Sequence, residues 1–172
     1  MSKTRFYIFR HGETFATLHK NPQRFGAVQA YGRKLFSASI LEEGKPAILR
    51  LGEFLKVRST DFNACSQFKR CKETAQIVTD ITGKGFVYDK RLNEIVFETV
   101  GHLKNRVKSF LDFVEEHEYK NVAICTHGGV IAVLKNLILK GEYNWGVRND
   151  YPGPGVLIII EDGEYKEIDF RK

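Results

Sequence analysis

The feature that most constrains the fold is the alternation of two hydrophobic periods along the chain. Short continuous apolar runs, as in buried strands, give way repeatedly to apolar residues spaced three and four apart, as on one face of a helix. Lys3 to Phe9 is β-rich and ends at polar residues, so it reads as a strand delivering Arg10 and His11 to its C-terminal end. From Glu43 to Arg58 the apolar positions are Ala47, Ile48, Leu51, Phe54 and Leu55, a helical stripe with Pro46 tolerated in the first turn. Phe62 to Cys65 predicts a strand, Lys69 to Thr82 a helix closed by Gly83, and Phe86 to Tyr88 another short strand. Val100, Leu103, Val107, Phe110, Leu111 and Val114 make a further helical stripe, followed by a strand over Asn121 to Thr126. Gly128 to Lys140 is apolar nearly all round, as a helix buried against a sheet is. Gly155 to Glu161 and Glu164 to Phe170, joined by Asp162 and Gly163, predict a terminal hairpin. This order predicts an α/β layered fold with a mainly parallel sheet flanked by helices. Phe15 to Ile40 alone lacks a clear period; it carries His19, Lys20, Arg24, Arg33 and Lys34 and reads as a functional loop.

Length and composition narrow the function classes. The 172 residues fit a single domain spanning 1–172, and apolar and charged fractions of 42% and 28% are those of a globular protein. No apolar run approaches the roughly 18 residues that span a bilayer, and the apolar stretch at the N-terminus stops at Arg10, short of a signal peptide. A cytoplasmic location with no membrane partner is expected. The three cysteines, Cys65, Cys71 and Cys125, form no CxxC pair, so neither a disulfide framework nor a zinc site is indicated. The formal net charge of +6 is spread among acidic residues rather than gathered in one patch, which favours anionic ligands in general over nucleic acid.

Two short segments can do chemistry. Arg10 and His11 follow a strand and precede Gly12, whose missing side chain allows close approach of a ligand. A neutral imidazole with a guanidinium beside it supplies a phosphoryl acceptor and an anion clamp, although the tripeptide alone fits a surface Arg next to a strand-end His equally well. The second segment is Cys125, Thr126, His127, Gly128 and Gly129, again where a strand gives way to a helix whose N-terminal dipole attracts phosphate; a buried structural His is the plainer alternative. In a parallel sheet both strand ends lie on the same edge, so His11 and His127 can converge although 116 positions separate them.

With these residues in order, the chain resembles the histidine phosphatase superfamily, whose fold is the three-layer phosphoglycerate mutase-like one. The family's Arg-His-Gly is matched by Arg10, His11 and Gly12, continuing as Glu13 and Thr14. Its helix entry is approximated by Leu41, Glu42, Glu43 and Gly44, and its Ser-x-x-x-Arg-x-x-x-Thr-Ala segment by Ser66, Arg70, Thr74 and Ala75. Leu92, Asn93 and Glu94 resemble its Leu-x-Glu, and Thr126, His127, Gly128 and Gly129 its second histidine. The resemblance implies that His11 is the nucleophile, that Arg10, Arg70, His127 and Gly128 hold the phosphoryl group, and that Glu94 is the proton donor. Glu13 and the neighbouring Glu98 are the alternative acids. It implies no cofactor, and the histidines and carboxylates show no metal-ligand spacing.

The chain departs from the family in three places. Thr17 stands where many members carry Asn, and the stretch between Thr14 and Leu41 is long, with Arg24 and Arg33 as candidate substrate-binding residues beside Thr14. Only eleven residues separate Glu94 from Arg106, where mutases of the family carry a longer covering insertion. A short link predicts an open pocket, and water in the pocket favours hydrolysis over internal transfer. In length the chain is similar to the short bacterial phosphohistidine-protein phosphatases. The expectation is a metal-independent phosphatase of a phosphorylated small molecule or a phosphoprotein. A phosphoglycerate mutase and a non-catalytic phospho-ligand module are the alternatives, and oligomeric state is open.

Overall fold

Parallel pairing of two buried apolar runs sets the centre of the fold. In the computed structural model, which describes residues 4–18, 27–144 and 151–172, β1 (Arg5–Arg10) pairs with β4 (Asn121–Thr126) from Arg5 opposite Asn121 to Arg10 opposite Thr126. The six-stranded sheet has the order β3-β2-β4-β1-β5-β6, with β2 (Phe62–Cys65) parallel to both β4 and β3 (Val87–Tyr88). The terminal hairpin, β5 (Val156–Glu161) and β6 (Glu164–Asp169), adds to β1 antiparallel. Its turn residues Asp162 and Gly163 both have positive φ, 52° and 79°, the backbone that matches the twist of a two-residue hairpin.

Alternation along each central strand makes three layers. Phe6, Ile8, Val122 and Ile124 point to one face and pack with α5 (Val100–Glu116) and α6 (Gly128–Lys140). Tyr7, Phe9, Ala123 and Cys125 point to the other and pack with α3 (Lys45–Lys56) and α4 (Lys69–Thr82). Val130 to Leu134 of α6 are all buried, and each Val, Ile and Leu among them contributes about 1.5–3 kcal/mol by leaving water. No described helix is long and apolar enough to cross a membrane.

The segment expected to be a loop contains short helical pieces: α1 (Phe15–Leu18), α2 (Ala27–Tyr31) and a 3-10 turn over Gly32–Lys34. Four or five residues are too few for a 3.6 period to show in sequence. Tyr31, Leu35 and Ala38 from this segment are buried against Phe68 at the start of α4, with Val96 packed on the same cluster. This patch places one wall of the site.

Candidate active site

Three strand ends converge. His11 follows β1 and its N–H donates to Thr126 O at 3.0 Å, while the Ser66 N–H following β2 donates to Cys125 O at 3.0 Å. His127 follows β4 and caps the N-terminus of α6. The rings of His11 and His127 lie 5.3 Å apart, edge to face, and both side chains are buried, His11 at 1% exposure and His127 at 0%. Register thus brings together the two histidines that the sequence separates.

His11 Nδ1 lies 2.9 Å from the carbonyl of Gly12, and a carbonyl only accepts, so Nδ1 carries the proton and Nε2 the lone pair. Nε2 is buried without a hydrogen-bond partner, as are the Nε atoms of Arg10 and Arg70. Burial, reinforced by the positive neighbours Arg10, Arg70 and His127, holds the His11 pKa well below its ordinary value, so the ring is neutral at physiological pH. A neutral imidazole lone pair among cations is a phosphoryl acceptor beside a phosphoryl clamp.

Arg70 enters from the first turn of α4, fully buried. Its guanidinium lies over the Tyr31 and Phe68 rings at 4.2 and 5.0 Å, Nη1 donates to Leu35 O at 2.6 Å, and Nη2 sits 3.2 Å from His127 Nδ1. Tyr31 and Leu35 of the 27–38 segment pack on Arg70 and form one wall of the site, apart from the short link after Glu94. Arg10 is aligned by Tyr151, whose ring lies 5.3 Å from its guanidinium carbon. Gly128 makes room for that ring, since a Cβ there would come within 2.3 Å of Tyr151.

His127 is oriented from behind. Ser66 Oγ donates to Asn93 Oδ1 at 3.0 Å, and that oxygen also receives the Gln67 N–H at 2.8 Å, which fixes which end of the amide faces Ser66. With its only proton committed, the Ser66 hydroxyl accepts from His127 Nε2, 2.7 Å away. His127 Nδ1 is therefore the atom turned toward Arg70 and Glu94, whose Oε2 is 3.8 Å away.

Glu94 is held by a braced loop. The Thr126 hydroxyl donates to Leu92 O at 2.6 Å, Arg106 donates to Arg91 O at 2.6 Å and to Glu94 O at 3.3 Å, and Glu94 Oε1 accepts its neighbour Ile95 N–H at 3.0 Å. Glu98 is ion-paired to Arg106, and its Oε2 lies 2.9 Å from His102 Nδ1. Glu13 accepts the Leu41 N–H at its backbone carbonyl, and its Oε1 is buried without a hydrogen-bond partner. Of the three carboxylates weighed from sequence, Glu94 is the one that reaches His127.

Thr14 is buried, its hydroxyl engaged with Tyr31 OH at 2.9 Å and Thr17 Oγ1 at 3.2 Å. Arg33 is exposed on the 3-10 turn, and Arg24 lies outside the described residues. Tyr31, Leu35, Tyr151 and Arg106 were not signalled by any motif, whereas Ser66 and Asn93 sat inside motifs with no role attached. Among the described residues no group of three or more His, Cys, Asp or Glu side chains is arranged to hold a metal ion.

Residues 6–100 match the model of the histidine phosphatase superfamily (branch 1). The chain is 26% identical over 148 residues to a protein of Hydrogenobacter thermophilus (strain DSM 6534 / IAM 12695 / TK-6) provisionally named phosphoserine phosphatase 2, covering 65% of this chain and 71% of that one. The α-ribazole phosphatase of Shigella flexneri superposes with a TM-score of 0.75 at 18% identity, over 98% of this chain and 96% of that one. A phosphoglycerate mutase of Bacillus anthracis str. Sterne gives 0.66 at 19% identity, over 98% and 94%. These structural likenesses establish the shared mainly parallel fold.

Proposed function

This chain belongs to the histidine phosphatase superfamily, branch 1, and we propose that it is a phosphatase that hydrolyses phosphomonoesters through a phosphohistidine on His11. The observation that carries the reading is the buried Nε2 lone pair of His11, unpartnered and flanked by the equally unpartnered Nε atoms of Arg10 and Arg70.

In the first half-reaction Nε2 attacks phosphorus, the P–O bond to the leaving alcohol breaks, and Glu94 gives that oxygen its proton. Arg10 and Arg70, with His127 beside them, face the charge that spreads over the equatorial oxygens, so no metal ion is needed for neutralisation. In the second, Glu94 takes a proton from water as it attacks phosphorus, the P–N bond breaks, and inorganic phosphate leaves. The eleven-residue link from Glu94 to Arg106 offers little to retain an intermediate against water, which favours hydrolysis over mutase transfer. An idle phosphate-binding module has no use for an oriented nucleophile and acid. The substrate is a phosphorylated small molecule or a phosphoprotein, and the site is that of a cytoplasmic, cofactor-free enzyme.

The test is chemical trapping. Acid-quenching the enzyme with a 32P-labelled phosphomonoester should leave base-stable, acid-labile label on the wild type and none on His11→Ala. Label that persists in that variant refutes the assignment.

A further inference from the structure

Resting on the phosphohistidine reading, we propose that Tyr151 is a positioning residue for phosphoryl transfer: from the loop before β5 it holds the Arg10 arm of the clamp, and so sets how tightly the phosphoryl group is gripped. The two arms are supported very differently. Arg70 is fully buried, donates to Leu35 O at 2.6 Å and lies over two aromatic rings, so its guanidinium is fixed before a substrate arrives. Among the described residues the Arg10 side chain has no hydrogen bond or ion pair, its Nε is buried without a partner, and Tyr151 is the one ring it lies over. An unsupported arginine gives up rotamer freedom when it closes on an anion, and a face already in place removes part of that cost. At 5.3 Å from the guanidinium carbon to the ring centroid, inside the limit of about 6 Å for a cation–π contact, Tyr151 supplies that face.

Tyr151 is itself held. Its ring packs on the hydrophobic cluster that α5 and α6 share with the sheet, and it fills the space Gly128 leaves, where a Cβ would come within 2.3 Å of Cε2 and 2.6 Å of Cζ. Pro152 follows it and restricts its backbone to extended conformations. The loop ends at Gly155, whose carbonyl accepts the Phe170 N–H at 2.9 Å, which ties it to the chain after β6. Gly128 opens α6, so the same ring touches both the helix N-terminus, whose free N–H groups suit an anion, and the guanidinium beside His11. One side chain therefore sets the spacing of two groups that grip the same phosphoryl oxygens.

The test is Tyr151→Leu, which keeps an apolar side chain on the cluster and removes the π face, with Tyr151→Phe as the conservative replacement. Inhibition by inorganic phosphate and kcat/KM for 4-nitrophenyl phosphate are measured on the full chain, with thermal melts alongside. Tyr151→Leu should weaken phosphate inhibition and lower kcat/KM about 5- to 30-fold, the range of a partly desolvated cation–π contact, while Tyr151→Phe stays within about twofold of wild type. Gly128→Ala keeps the helix N–H but displaces the ring, and should lose activity in the same direction. The deciding comparison is Arg10→Ala against Arg10→Ala/Tyr151→Leu. A ring that acts through Arg10 then has nothing left to position, so adding Tyr151→Leu should change kcat/KM less than about twofold. The same loss in both backgrounds, or a Tyr151→Leu enzyme within about twofold of wild type, overturns the positioning role. If His11 still takes label from the phosphomonoester, the phosphatase reading survives that result, whereas a wild type that takes no label fells the phosphohistidine reading itself.

Discussion

Replacing Ser66 by Ala tests whether His127 is held in one orientation or merely fills space. In the native site the Ser66 hydroxyl gives its proton to Asn93 and so must accept from His127 Nε2 at 2.7 Å. Without Oγ, that buried N–H is left facing Cys71 Sγ at 3.4 Å, a weak acceptor. An unmade hydrogen bond of a buried neutral group costs about 1–3 kcal/mol, and the sulfur recovers part, so a loss near 1–2 kcal/mol is expected. For a chain of this size that lowers Tm by roughly 2–8 °C. The alternative, moving the proton to Nδ1, sets a donor against Arg70 Nη2 only 3.2 Å away. Catalysis suffers more, because a ring free to turn no longer keeps Nδ1 on Arg70 Nη2, 3.2 Å away. A hydrogen bond to a charged group is worth about 1.5–3 kcal/mol, so kcat/KM should fall about 10- to 150-fold. Asn93→Ala leaves Oγ in place but frees its proton to point at Nε2; a smaller loss in kcat with little change in Tm is expected. Steady-state kinetics from pH 5 to 9 with thermal melts on both variants decide it. A Ser66→Ala enzyme within threefold of wild type, whatever its Tm, refutes the orienting role.

Two further outcomes follow from the same geometry. Glu94→Gln should slow ethyl phosphate far more than 4-nitrophenyl phosphate, because a good leaving group needs little protonation; equal slowing would move the acid role to Glu13. The unfolded chain protonates His11 near its ordinary value of about 6.5, whereas burial keeps the folded ring neutral well below that. Between those values the unfolded state binds the extra proton, so the His11 contribution is complete above about pH 6.5 and falls by up to about 1.4 kcal/mol per unit below it. Urea unfolding at pH 7, 6 and 5 should show wild type losing more stability than His11→Asn, and parallel slopes would show that His11 is not kept neutral by the fold.

The parts of this site legible in sequence are those whose position depends on regular structure. A continuous apolar strand has one C-terminal end, so the placement of His11 and His127 follows once β1 and β4 are recognised as parallel neighbours. The expected helix over Lys69 to Thr82 appears with those bounds, and Gly83 closes it at φ of 73°. What was not legible depends on irregular backbone. Tyr31 and Leu35 come from pieces too short to carry a period, and nothing in the sequence joins them to Arg70, which its motif alone singles out. Asn93 occupies the variable position of a three-residue motif, and only the 2.8 Å bond from Gln67 N–H shows that its amide has a fixed direction.

The same contrast separates the short link after Glu94 from the wall that packs on Arg70. Sequence spacing measures how much chain lies between Glu94 and Arg106, and from that a missing cover follows. It does not measure what other chain folds over the site. Arg70 is a buried cation, and burying it without partners would cost several kcal/mol. The Leu35 carbonyl and the faces of Tyr31 and Phe68 meet that need, and each brings its segment across the floor. The buried charge therefore itself recruits the wall that encloses it. The link after Glu94 adds Val96 to that cluster and leaves Phe97 exposed. Enclosure at Arg70 thus depends on Tyr31, Leu35 and Phe68, which the length of the link does not report.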